Sequence, residues 1–582
     1  MPAVFAPSKT IALVSSSFVG NSIFTHYKTG RSESLPDMKN IFQKSHTANH
    51  EAGTRFDLFD MKKTFATPAI ALLLCLVSPH VTSAGTVTTW RGSGNNNNWS
   101  AANNWTTTPT TSGTFSLVYS GNTTRTTSTN DLGLSAVSVD SILFANTGET
   151  GSNVNFILSR SSNSTALALL DRATVNSTVV TSGTLTDSIS SAIGFVGNAT
   201  FNLGLRHNLN LSGTLSGGGR IVKQGAGDLN VTNTNDLAAL KIEQGVVQVN
   251  TTSIAGITGL TVDIGSSGQN GTFRTTGVGS TLTPYATNMK FNLNGDANIT
   301  PNGSSNINFN AANFNQAVAG VTTPVTLSLV GGASDASKGT QTLNGVIQDN
   351  SASGKVGVTI GTATSQNVWV LNGNNTYTGD TTVQAGGKLL MNGSVAAGST
   401  TTTYGYLGGS GTFGGAVIVS SGTLAPGGSS AGGGIVDTVD VLSMASLSLS
   451  GSSQTLMQIN GTTRGTDYDG LDISGGGGLT YDGMLSLSFG NASAFANNTT
   501  FDLFNFSGSP SGNFSAVTST GYYAGTWVPA NDIWSLDSGG QILSFTPSKG
   551  VLGIAVPEPS MLVLVLAGLA VTCGFFVRRR RG

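Results

Sequence analysis

The chain has 582 residues, of which 9% are charged against about 25% in an ordinary soluble domain, and a formal net charge of −1. That balance excludes the basic footprint of a nucleic-acid binder, and a hydrophobic content of 38% excludes a disordered polar chain. The 78 glycines sit among Ser, Thr and Asn interleaved with Val, Leu and Ile. This mixture suits many short strands joined by tight turns, in which Gly and Asn take positive φ.

Residues 1–60 carry charge and histidine but no strand pattern, so they are expected to be a misassigned upstream segment or disordered, with translation starting at Met61. Residues 61–84 have the layout of a signal peptide: Met61-Lys62-Lys63, an apolar core at 69–77, and Val81-Thr82-Ser83-Ala84. Signal peptidase is expected to cut after Ala84. The apolar core is too short to span a bilayer. Leu74, before Cys75, is too large for a lipoprotein cleavage site. The other cysteine, Cys573, lies near the C-terminus, so removing both ends leaves no disulfide and no thiolate metal ligand. His26, His46, His50 and His80 precede the cut, which leaves His207 alone. A site with two histidines is then impossible, and a Ser-His-Asp triad would depend on His207.

Residues 85–204 read as an N-terminal β-rich cap region. Trp90, Trp99 and Trp105 punctuate Asn- and Ser-rich turns, and Val137, Val139, Ile142 and Phe144 read as strand. The three tryptophans are candidate sugar contacts, because aromatic faces stack on apolar sugar faces, or else they cover the end of an array. Residues 205–425 carry the internal repeat. Its best copy, 369–391, reads strand, Asn372-Gly373 turn, Gly379-Asp380 turn, strand, Gly386-Gly387 turn, strand. Val383 and Ala385 alternate with Thr382 and Gln384, a period of two that sets one face inward. Three short strands in this stretch are expected to make one coil of a parallel β-helix. Weaker copies lie at 212–247 and 409–427. Residues 426–555 form a C-terminal β-rich section that closes the array. There Asp467, Asp469 and Asp472 could hold Ca²⁺ through hard oxygen ligands, but the loop lacks EF-hand spacing. It is read as an Asp-rich turn, with no metal and no cofactor expected.

Asn375-Thr376-Tyr377-Thr378-Gly379, Thr381-Thr382-Val383 and Ala385-Gly386, with Gly225-Ala226-Gly227 earlier and Leu424-Ala425-Pro426-Gly427 later, resemble the autotransporter-associated β-strand repeat. The resemblance implies a passenger-like β-solenoid outside the cell. It does not imply self-transport, which needs a C-terminal membrane β-barrel. The expected fold is all-β: a right-handed parallel β-helix or β-solenoid with a β-rich C-terminal section, plus one C-terminal transmembrane helix.

That helix is read from the tail, 556–582. Val556-Pro557-Glu558-Pro559 precedes an unbroken apolar run at 561–577 and then Arg578, Arg579, Arg580 and Arg581. Seventeen helical residues span about 26 Å, close to the hydrocarbon core of a bilayer. The arginines stay on the cytoplasmic side, which places everything upstream outside the cytoplasm. In this order the three parts resemble the PEP-CTERM sorting signal. The resemblance implies cleavage near Pro557 by an exosortase-type membrane protease, passage through the inner membrane, and release to the cell surface or extracellular matrix. A structural or adhesive protein associated with exopolysaccharide is expected, and not an enzyme. The alternative is a polysaccharide-binding or polysaccharide-degrading β-helix protein, which for catalysis needs paired carboxylates at fixed separation.

Overall fold

A computed structural model describes residues 16–19, 22–25 and 85–556, apart from breaks at 122, 134, 147–153, 163–165, 234–238, 251–259, 277–288, 303–306, 310–312, 315–320, 332–338, 366, 432–433 and 476–477. The chain divides into two units, Met1–Thr82 and Ser83–Gly582. In the first, Ser16–Val19 and Ser22–Thr25 pair antiparallel. The expected signal peptide with its Ala84 cut, and the expected transmembrane helix at 561–577, lie outside the described residues. Among those described there is no helix at all.

In the second unit almost every strand is short and its residues alternate between buried and part-exposed, as in Leu185–Ile189 and Val356–Ile360. Alternating side chains give each strand one apolar face, and that face must be covered. The chain covers it by coiling. Successive coils stack parallel strands into three long ladders, with the apolar side chains between them. One runs from Thr86–Trp90 and Thr114–Tyr119 to Lys290–Leu293 and Asn313–Phe314, and a second from Ile307–Phe309 through Lys388–Met391 and Met484–Phe489 to Ala516–Gly521. The third runs from Thr127–Asn130 through Gly271–Thr276 and Thr381–Val383 to Phe504–Phe506. This is a parallel β-solenoid, and its coils begin ahead of 205 and continue past 425.

Coil length varies. Thr127 lies opposite Ile157, Leu209 opposite Leu229, Trp369 opposite Leu389, Tyr406 opposite Thr423, and Gln454 opposite Met484. The coils are thus near 30 residues at both ends and near 20 at Leu209–Leu229 and Trp369–Leu389, while those between, such as Ala297 to Leu327 and Val325 to Val356, are again near 30. The Trp369–Leu389 register corrects the reading of 369–391 as one coil of three strands. Val368–Leu371 and Thr381–Val383 belong to one coil, and Lys388–Met391 opens the next. Turn residues mark where strands end, but which strands stack is set by closure of the coil.

Two repeated features hold the central coils in register. Asn372 Nδ2 donates to Asn344 Oδ1 at 2.7 Å, and Asn392 Nδ2 donates to Asn372 Oδ1 at 3.1 Å, a side-chain ladder over three coils. The residue after each asparagine is glycine. A Cβ on Gly373 would lie 2.0 Å from Gly345 O, and one on Gly393 would lie 2.1 Å from Gly373 O. No side chain fits where the turns approach so closely, which is the physical basis of the repeated Asn-Gly.

The interior is one continuous apolar core from Trp90 to Ile554. It includes the aromatic stack Phe273–Phe291–Phe309, with ring centroids 5.4 and 6.0 Å apart. Each fully buried Leu, Ile or Phe contributes about 1.5–3 kcal/mol. Both ends are covered. At the N-terminal end, Thr106 N donates to Thr89 O and Trp90 bridges Trp105, so residues 91–107 lie against the first strand. At the C-terminal end, an antiparallel sheet of Thr500–Asp502, Val551–Ala555, Gln541–Thr546, Ile533–Ser538 and Val528–Ala530 closes the core with Trp534, Leu543, Phe545 and Leu552. Covered ends remove the unpaired edges that would otherwise template stacking of one molecule on another.

Candidate functional site

The tryptophans read as candidate sugar contacts are buried. Trp90, Trp99 and Trp105 pack edge to face, with centroids 5.2 Å apart for both Trp90–Trp105 and Trp99–Trp105. Trp90 Nε1 donates to Arg125 O at 2.8 Å and Trp99 Nε1 to Ser128 Oγ at 2.7 Å. A stacking platform needs an open ring face, and these rings turn theirs into the first coils. The cluster seals the end of the core.

The three aspartates of the 467–472 turn are also separated in role. Asp467 Oδ2 accepts the Thr463 N–H at 3.0 Å, and that residue's N–H and hydroxyl hold the carboxyl below the usual carboxylate range. Asp472 Oδ1 meets Arg464 Nη2 at 3.0 Å and also accepts from Asn505 Nδ2. Asp469 is buried, with Oδ1 accepting the Asp440 N–H at 3.0 Å and Oδ2 accepting the Gln458 N–H at 2.7 Å. Burial pushes Asp469 up to about 7, the two N–H donors offset part of that, and the charges of Asp437 and Asp440 raise it further. Among the described residues no group of three or more His, Cys, Asp or Glu is placed to hold a metal.

Two further polar groups are buried: His207, which the sequence left as the lone histidine, and Lys223, which it did not single out. His207, on His207–Leu211, points inward with Asp187, on Leu185–Ile189 of the preceding coil. Nε2 lies 2.5 Å from Asp187 Oδ2, Nδ1 lies 3.0 Å from Thr178 O, and Asp187 Oδ1 accepts the Phe156 N–H at 2.6 Å. Nδ1 donates to the Thr178 carbonyl, and one further proton lies between Nε2 and Asp187 Oδ2. The pair is enclosed by the core and open to no substrate. Lys223 is likewise enclosed, on Arg220–Gln224. Its Nζ donates to Gln224 O and Gly225 O at 2.6 Å each and to Gln244 O at 3.3 Å. Burial pushes it down to about 7, opposed by the charge of Asp228. The usable signal was the period of two: His207 shares parity with Leu209 and Leu211, and Lys223 with Ile221.

The remaining polar surface is the outside of the coils. Thr359, Thr382 and Thr402 stand in register on one face. Asn230 Nδ2 donates to Asn210 Oδ1 at 2.8 Å on the same face nearer the N-terminus. These groups are regular, uncharged and hydrogen-bonding.

The geometry defines a capped parallel β-solenoid whose last strand, Val551–Ala555, leads into the tail, with Val556 exposed. The family model for the PEP-CTERM protein-sorting motif matches residues 555–581, so the motif begins where the folded body ends. It marks the chain for export and for sorting by an exosortase system, with transient processing at the membrane by a protease-type partner. Pro557, Glu558, Pro559 and Arg578, Arg579, Arg580 and Arg581 of that motif lie outside the described residues. No curated protein matches the chain significantly.

Proposed function

We propose that this is a structural or adhesive protein that is carried to the cell surface or extracellular matrix and acts there alongside exopolysaccharide, without catalysis. The observation that carries the reading is the sorting motif joined directly to a capped, weakly charged β-solenoid. A stack of coils is stiff along its axis, since each coil contacts its neighbours over its whole width. Rows of Thr and Asn hydroxyl and amide groups suit hydrogen bonding to polysaccharide. The coils resemble the autotransporter-associated strand repeat, and a right-handed wind follows from the hand of about 98% of parallel crossovers. Catalysis on polysaccharide would need carboxylates converging in a cleft. Asp467, Asp469 and Asp472 are instead engaged by Thr463, two backbone N–H groups and Arg464.

The test concerns the tail. An epitope tag placed after Arg581 is followed by immunoblot of membrane and surface fractions. Sorting by cleavage predicts surface protein that lacks the tag. Replacing Pro557-Glu558-Pro559 by alanines should keep the tagged chain in the membrane. A tag that stays on all of the surface protein would refute release.

A further inference from the structure

Three successive coils leave a cavity of about 350 Å³ at the turns that lead into Gly271–Thr276, Ala297–Asn302 and Val325–Leu329. Its first wall is a tight turn in which Ser266 and Gln269 exchange backbone hydrogen bonds, with Gly268 at a φ of 74°. Its second wall is 294–296. A Cβ on Gly295 would lie 2.4 Å from Ser266 O, so only glycine lets this turn come so close to the first. Its third wall is 321–325, and there Asp296 Oδ1 accepts the Thr326 N–H at 2.8 Å and ties the second wall to the third.

The polar side chains that line the cavity are not spent on the fold. Gln269, Asn294, Thr322 and Thr323 make no side-chain hydrogen bond among the described residues, and neither does Asp296 Oδ2. Each amide offers a donor beside an acceptor, each hydroxyl can act as either, and the carboxylate oxygen accepts. Pro324 adds an apolar surface. No lysine, arginine or histidine lines the cavity, and Asp296 is its one acid. The volume lies at the lower end of small-ligand sites, roughly 300–1,000 Å³. Such a lining suits a ring that carries several hydroxyls. An apolar ligand would leave the amides unpaired, and an anion would meet Asp296.

The surface beside the cavity continues the same chemistry. A few residues along the three strands, Thr272, Asn298 and Ser328 stand in register on the outside, with Asn298 Nδ2 donating to Thr272 Oγ1 at 3.2 Å. The row goes on through Thr359, Thr382 and Thr402. None of these six is charged, and they follow one another at the strand spacing of about 4.8 Å. We infer that the cavity binds a neutral sugar residue of a polysaccharide whose chain lies along this row. Gln269 and Asn294 bind the sugar hydroxyls, Pro324 meets its C–H surface, and Asp296 excludes uronate and sulfated sugars. The inference rests on the reading that the protein acts alongside exopolysaccharide, and it names where on the coils the two meet.

The full chain, purified in detergent, is tested for binding to the immobilised neutral and acidic fractions of the producing cells' extracellular polysaccharide. The natural chain should bind the neutral fraction and slow hydrogen exchange at 266–269 and 294–296 when it does. Gln269→Leu with Asn294→Leu should weaken binding roughly tenfold or more, the loss of two hydrogen bonds. Asp296→Asn, which keeps an acceptor for the Thr326 N–H, should retain the neutral fraction and admit the acidic one. Exchange in Thr261–Ile264 without polysaccharide checks that the double variant is folded; if it is not, Thr322→Trp, at the exposed mouth, decides by blocking the cavity. A folded double variant, or Thr322→Trp, that binds at natural strength overturns the site and leaves the association with exopolysaccharide standing. A natural chain that binds the acidic fraction alone also overturns the site. A natural chain that binds neither fraction sinks both the site and the association.

Discussion

Asp187→Ala would strip the counter-charge from an imidazole that is fully buried. Both nitrogens of His207 face acceptors, at 3.0 and 2.5 Å, so its charge is balanced by Asp187. Removing one partner of a buried pair costs about 3–5 kcal/mol. The same change orphans the Phe156 N–H, and a buried unsatisfied donor costs about 1–3 kcal/mol. The two penalties overlap, since both arise from one lost carboxylate, so a loss of about 4 kcal/mol is expected. The double variant Asp187→Ala, His207→Leu removes the ring charge too. It leaves the neutral Phe156 N–H and Thr178 O without partners, at about 1–3 kcal/mol each, but strands no charged group. The double variant should therefore be more stable than the single one. Coils contact only their neighbours, so the loss is local and a whole-chain melt would dilute it. Native-state hydrogen exchange of Leu185–Ile189 and His207–Leu211 reads it directly, as an acceleration of roughly a thousandfold, at tenfold per 1.4 kcal/mol. A single-variant loss below about 1 kcal/mol, or a double variant worse than the single, would refute the ion-pair reading.

Lys223 makes the stability of its coils depend on pH. Its folded value of about 7 lies below the ordinary lysine value, so the unfolded chain binds more protons between about pH 7 and 10, and stability of the surrounding coils rises with pH over that window. Lys223→Met should abolish the slope in exchange rates measured across 220–250. Gly393→Ala, at a turn of ordinary φ, places a Cβ 2.1 Å from Gly373 O and must shift backbone. It should cost more than about 1 kcal/mol and speed exchange in the Asn372–Asn392 turns, while alanine at Gly218, where a Cβ meets nothing, should be nearly silent.

The strand character of this chain was legible in its sequence because alternation depends only on a residue's nearest neighbours. Val383 against Thr382, Leu389 against Lys388, and the Asn-Gly punctuation at Asn372-Gly373 and Asn392-Gly393 carry it directly. The sorting motif was legible for the same reason: its Pro-Glu-Pro, apolar run and arginines are contiguous in the sequence, and the match to 555–581 needs no fold. Tertiary structure alone decided which strands stack, because coil length varies, being 16 residues between Thr401 and Val417 and 33 between Leu471 and Phe504, and only closure around a filled core sets it. It also decided that Trp90, Trp99 and Trp105 face inward, that Asp187 meets His207 twenty residues away, and that Ile435 packs on Val368 and Leu390. Each of these joins residues one or more coils apart, and a contact between coils exists only after the coils have formed.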